Sequence, residues 1–145
     1  MSAQQGSFAC RISVSPSDAD VLREETKKVL MFNHEEFEDY LDYLPAKQLA
    51  LADTFRDATA VIDAIGWDPD IDVQHDPVEV PLTGGHVHQL HKRRCDLLAT
   101  NLDLLKEIGA DAAENAVVMS DIYANRHSVE ALNRIFDAYT TTITG

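Results

Sequence analysis

Leu44, Gln48, Leu51, Phe55, Ala58, Ile62 and Ile65 follow one another at alternating intervals of four and three residues. Positions so spaced fall on one side of an α-helix, so the side chains there must be covered by something else in the fold. The same rhythm returns at Val87, Leu90, Arg94, Leu97, Asn101, Leu104 and Ile108, and again at Val118, Ile122, Val129, Leu132, Phe136, Tyr139 and Ile143. A looser form, Leu22, Val29, Phe37, Leu41 and Leu44, comes before them. Four helical segments are predicted, over about 16–44, 45–65, 84–108 and 111–142.

Local chemistry marks their ends. Ser15 precedes Pro16, the residue type favoured in a first turn, and Asp18 adds an acid there. Asn33, with Glu36 three residues on, offers a second start and predicts a break. Pro45 opens the second helix, and Gly66 suits a positive-φ stop. His127-Ser128 is a weaker candidate break in the last helix. Along the third helical segment, His91, Cys95, Leu98, Leu102 and Leu105 form a flanking stripe that predicts contact with neighbours on two sides.

Two short stretches alternate with period two instead: Phe8, Cys10, Ile12 and Val14, then Val78, Val80 and Leu82. Each reads as a strand. The order is therefore strand, helix, helix, repeated once. A shift of 66 residues lays Ile12, Val14 and Val21 on Val78, Val80 and Val87, and a shift of 67 lays Leu51, Phe55, Ile62 and Ile65 on Val118, Ile122, Val129 and Leu132. The expected fold is mainly α: two helical hairpins in a four-helix arrangement, with one short two-stranded antiparallel ribbon over Phe8–Val14 and Val78–Leu82. All 145 residues form one domain with repeat halves at about 7–67 and 73–143.

Twenty-five acidic residues against twelve basic ones give a net charge of −13. Such a field repels nucleic-acid phosphates and anionic membranes, which removes both from the expected partners. The first residues, MSAQQGSF, lack the basic start and apolar run of a secretory leader, and a cytoplasmic setting is expected. Cys10 and Cys95 make no disulfide framework or metal finger and are expected to be buried thiols. No dinucleotide, phosphate-loop or nucleophile-elbow motif is present, so no cofactor is expected.

Against this acidity, Val80 to Cys95 contains no acid at all, while holding His86, His88, His91, Lys92, Arg93 and Arg94. Gly84-Gly85 at a helix start exposes backbone N–H groups at the positive end of the helix dipole. An anion or a partner is the candidate contact of Gly84, Gly85, His86, His88, Lys92 and Arg93, and the favoured alternative is that these cations pair with the chain's own acidic helices. His88 and His91, three apart, share a helix face, with His75 on the preceding loop as a further candidate ligand. They and the carboxylates Glu35, Glu38 and Asp39 are candidate metal ligands, but their spacing lacks the convergence that a metal demands.

Glu35, Glu36, Asp39 and Asp53 lie in a stretch that resembles the all-α nucleotide pyrophosphohydrolases of the MazG kind. That family holds magnesium with an EExxE-type run on one helix and an ExxD on the next. Glu35-Glu36 match its first pair, Asp39 stands where the last Glu belongs, and Asp53 matches the later Asp, while Ala50 replaces its partner Glu. The resemblance covers about 35 residues and implies magnesium-dependent nucleotide hydrolysis as an alternative function. The leading expectation is a non-catalytic protein-interaction or regulatory module. Its partner is a protein, another copy of itself included, joined through an open strand edge, the basic histidine turn or the acidic segment with Tyr40 and Tyr43. Arg94 and Asn101, on a leucine seam, are expected to be structural polar residues, with Asp53 or Asp57 pairing Arg94.

Overall fold

Two five-residue strands tie the chain together. A computed structural model describes residues 10–38, 44–68 and 76–145, and the side chains of all of these except 32–38. Strand β1 is Cys10–Val14 and β2 is Val78–Leu82, and they pair antiparallel with Ile12 opposite Val80. Helices α1 (Pro16–Glu38) and α2 (Pro45–Ile65) follow β1, and α3 (Gly84–Leu105) and α4 (Ala112–Thr144) follow β2. The mainly α fold with one small antiparallel ribbon is the expected one. Phe8 lies outside the described residues. Among the described residues, no helix is long and apolar enough to cross a membrane.

The two strand–helix starts are alike in detail. Ser15 accepts a hydrogen bond from the Asp18 N–H at 3.1 Å, and Thr83 accepts one from the His86 N–H at 3.1 Å. Both caps satisfy a first-turn donor that the helix itself leaves free. Burial matches Ile12 with Val80, Val14 with Leu82 and Leu22 with Leu90. The structural correspondence of the two starts is thus two residues longer than the 66-residue shift that best aligns the apolar letters. Cross-strand pairing is centred on Ile12 opposite Val80, with Cys10 opposite Leu82 and Val14 opposite Val78 at its ends.

The core gathers side chains from all six elements: Ile12 and Val14, Ala19 and Leu22, Val61, Val80 and Leu82, Leu90 and Leu97, and Leu132, Ile135 and Tyr139. Each fully buried aliphatic side chain contributes roughly 1.5–3 kcal/mol. Leu51, Ala58 and Ile62 of the regular seam are buried as expected, with Phe55 half-buried. Gly66 closes α2 at φ 87°, ψ 152°, a conformation open to glycine alone, and donates its N–H to the Ile62 carbonyl at 2.7 Å.

Three local expectations change. Helix α1 runs through Asn33 without a break, and α4 runs through His127-Ser128. Neither site has a Gly or Pro to interrupt the backbone ladder, so the competing cap is outweighed by continued helix. The flanking stripe of α3 does not meet a second neighbour: Leu98, Leu102 and Leu105 are 46%, 63% and 51% exposed. Among the described residues, the core cluster reaches α3 only as far as Leu97 and α4 only from Val129. Cys95, on the same stripe, is exposed rather than buried, whereas Cys10 is half-buried and its thiol is pushed up by burial.

Truncating the strand pair at its centre tests this account. Ile12→Ala should cost about 3 kcal/mol, as a core cavity does. Leu49→Ala, at a position 69% exposed, should stay within roughly 0.5 kcal/mol of wild type in urea unfolding.

Candidate functional site

The acid-free stretch that opens α3 is closed from within. Asp57 of α2, itself buried, accepts a hydrogen bond from the Thr83 hydroxyl at 2.8 Å. Its Oδ2 lies so near Gly85 that a Cβ there would sit 3.2 Å away. The first turn of α3 therefore already has a carboxylate beside its positive end, and Gly85 leaves the space for it. Arg56 contacts the other Asp57 oxygen at 3.4 Å.

His86 is 1% exposed and turns inward, where its Nε2 meets the Thr26 hydroxyl at 3.0 Å. Nδ1 has no hydrogen-bond partner among the described residues. Burial holds the imidazole neutral, lowering its pKa to about 4. Arg93 turns toward α1 and binds Glu25, a carboxylate only 3% exposed, at 3.0 Å, and Asp96 at 3.2 Å. Lys28 reaches the other Glu25 oxygen at 3.0 Å. His88 and Lys92 remain exposed, and Gly84 is half-buried. Of the six residues expected to form one contact, His86 and Arg93 are thus internal, and His88 and Lys92 point outward.

Arg94 does not pair with Asp53 or Asp57. It donates to Asn133 Oδ1 at 2.6 Å and to His91 Nδ1 at 2.9 Å, and its guanidinium lies 4.7 Å above the Phe136 ring. The seam at this level faces α4 rather than α2, so α4 supplies the partners. His91 presents its Nε2 to the Cys95 sulfur at 3.7 Å. Asn101 is buried as expected, donating to the Ile122 carbonyl at 3.3 Å and accepting from Asn125 at 2.9 Å.

Among the described residues, no three His, Cys, Asp or Glu side chains come together as metal ligands would. Asp53 forms a surface ion pair with Arg56 at 3.2 Å. Glu35, Glu36 and Glu38 lie on α1 within the part whose side chains are not described, and Asp39, Tyr40, Tyr43 and His75 fall outside the described residues.

Several polar residues that organise the fold are silent in the apolar rhythm. Asp18 is held bidentately by Arg134 at 2.8 and 3.0 Å, a contact across 116 residues that raises the Arg134 pKa, chiefly through the hydrogen bond. Arg23, 5% exposed, donates to the carbonyls of Ile65 and Gly66 at 3.1 and 3.0 Å and so caps the end of α2. A cleft of about 720 Å³ beside it, between the start of α1 and the end of α2, has Asp20 and Arg23 among its polar lining, and these bind each other at 2.7 Å.

Among the described residues, the far half of the α3–α4 hairpin carries several exposed apolar side chains. Asn115 closes its turn, donating to the Gly109 carbonyl at 2.7 Å and accepting the Gly109 N–H at 3.0 Å. Asp111 caps α4 by accepting the Ala113 and Glu114 N–H groups. The Asn101–Asn125 contact sets the level at which the helices meet. One residue past each inward seam, both antiparallel helices turn to the same side. That side carries Leu98, Leu102 and Leu105 of α3 with Met119 and Tyr123 of α4. Tyr123 is 58% exposed. Compared with models of known protein families, with curated proteins and with solved structures, the chain matches none.

The buried imidazole has a measurable signature. In the unfolded chain it takes a proton near pH 6.5, and in the folded chain only near pH 4. Its neutral form therefore favours the fold fully above about pH 6.5, and this contribution, on the order of 3 kcal/mol, is lost as pH falls toward 4. His86→Gln should narrow the stability gap to wild type steadily over that window when urea midpoints are compared at each pH.

Proposed function

We propose that the protein is a non-catalytic protein-interaction module whose contact surface is the outer side of the α3–α4 hairpin beyond Leu97. The observation that carries this reading is the row Leu98, Leu102 and Leu105, each about half or more exposed, together with the exposure of Tyr123 on the neighbouring helix. Contiguous apolar patches on a folded chain mark contact sites, whereas single exposed leucines do not. An aromatic side chain with a polar tip, set among leucines, is the composition of interface centres. The support beneath is rigid: the Asn101–Asn125 contact and the Asn115 clamp hold both helices in register before any partner arrives. Pre-ordering of this kind lowers the entropic cost of association.

The acidic charge of the rest of the chain agrees with such a role. It disfavours non-specific contact with nucleic acids and with other acidic surfaces, leaving the apolar side as the attractive one. The ion pairs that absorb Arg93, Arg23 and Arg134 are internal to the fold, so they are not offered to a partner.

A photo-cross-linking amino acid at position 123 should give protein adducts in extracts of the native host, and the same group at exposed position 63 of α2 should not. Leu102→Asp should abolish the adducts at 123 while leaving the far-ultraviolet spectrum and urea midpoint within roughly 0.5 kcal/mol of wild type. Equal labelling at both positions, or none at 123, overturns the reading.

A further inference from the structure

The partner that fits this surface is a second copy of the chain. We propose that two molecules pack hairpin against hairpin in antiparallel fashion about a two-fold axis beside Leu102, giving a four-helix bundle from the exposed halves of α3 and α4. This rests on the reading of that side as an interaction surface, and adds who occupies it.

The first argument is spacing. His91, Cys95, Leu98, Leu102 and Leu105 step by four and three along α3, the repeat of a knobs-into-holes seam. About an axis at Leu102 the seam is self-complementary: Leu98 meets the partner's Leu105, and Leu105 meets the partner's Leu98. A two-fold interface requires this reciprocity.

The second argument is charge. The base of the hairpin carries His88 and Lys92, and its tip carries Glu107, Asp111 and Glu114, while Arg126 lies at mid-height beside the Asn101–Asn125 contact. Neither Lys92 nor Arg126 has an ion-pair partner among the described residues. Antiparallel packing sets the base of each copy against the tip of the other, so Lys92 falls level with the partner's Asp111, about one turn past the partner's Glu107. A parallel arrangement brings acidic tip to acidic tip in a chain that already carries −13. Opposite charges about an interface set orientation more than affinity, so the antiparallel arrangement is the one selected.

Light scattering and sedimentation on the full chain, up to about 100 µM to cover micromolar dissociation constants, should show a dimer. Leu102→Asp should give a folded monomer. Lys92→Glu should weaken association roughly tenfold, and Lys92→Glu combined with Glu107→Lys should restore it. With Cys95 replaced by serine, L102C should form a disulfide-linked dimer on mild oxidation. Native Cys95 should not, because the axis places the two copies of Cys95 at opposite ends of the interface.

A wild-type monomer at the highest concentration overturns the proposal. So does a dimer that survives Leu102→Asp, which assigns association to another surface such as the strand edge. If the chain is monomeric while position 123 still labels a different protein, the self-association is wrong and the interaction surface stands. If it is monomeric and 123 labels nothing, both fall.

Discussion

The pairing of Ile12 with Val80 is the contact on which the rest of the architecture depends. Two five-residue strands are too short to persist alone in water. Here each is the root of a helical hairpin, and the pair is buried under side chains from all four helices. The ribbon joins the halves, and the helices make the ribbon stable, so neither forms without the other. Its symmetric register also fixes the geometry of the two starts, which is why Ser15 and Thr83 cap their helices in the same way and send Asp18 and His86 inward at the same turn.

What happens to those two inward residues differs, and the difference is chemical. Asp18 meets Arg134 of α4 through two hydrogen bonds. His86 meets only a threonine hydroxyl and stays neutral. A third buried group, Glu25, collects Arg93 and Lys28. Buried pairs of this kind gain little net stability over apolar residues, but losing one partner leaves a costly charge behind. They act as constraints on which helix may lie beside α1. The acid-free stretch at the start of α3 belongs to this internal scheme: Arg93 serves Glu25, and the helix start serves Asp57.

The elements of the fold were legible because they rest on period alone. The four-three rhythm placed α2, α3 and α4, and alternation placed both strands with their mutual pairing. Breaks at Asn33 and His127-Ser128 were over-read, since a capping residue inside a helix acts only when the backbone has another reason to stop. The site was less legible. Rhythm says which residues are apolar, not whether a neighbour exists to cover them, so the stripe Leu98–Leu102–Leu105 looked like core until the core was seen to end at Leu97. Arg94 was placed on the right seam but given the wrong helix. Asp18, Glu25 and Arg134 lie far apart in the chain, and no local spacing signals such pairs. Tyr123 had a faint signal, one step past the seam residue Ile122.

Helix α4 runs unbroken from Ala112 to Thr144, with only its second half anchored among core side chains. Its first half is held to α3 by the Asn101–Asn125 contact and the Asn115 turn, so the tip of the hairpin should open as one unit, its amides exchanging before those near Ile135 and Tyr139.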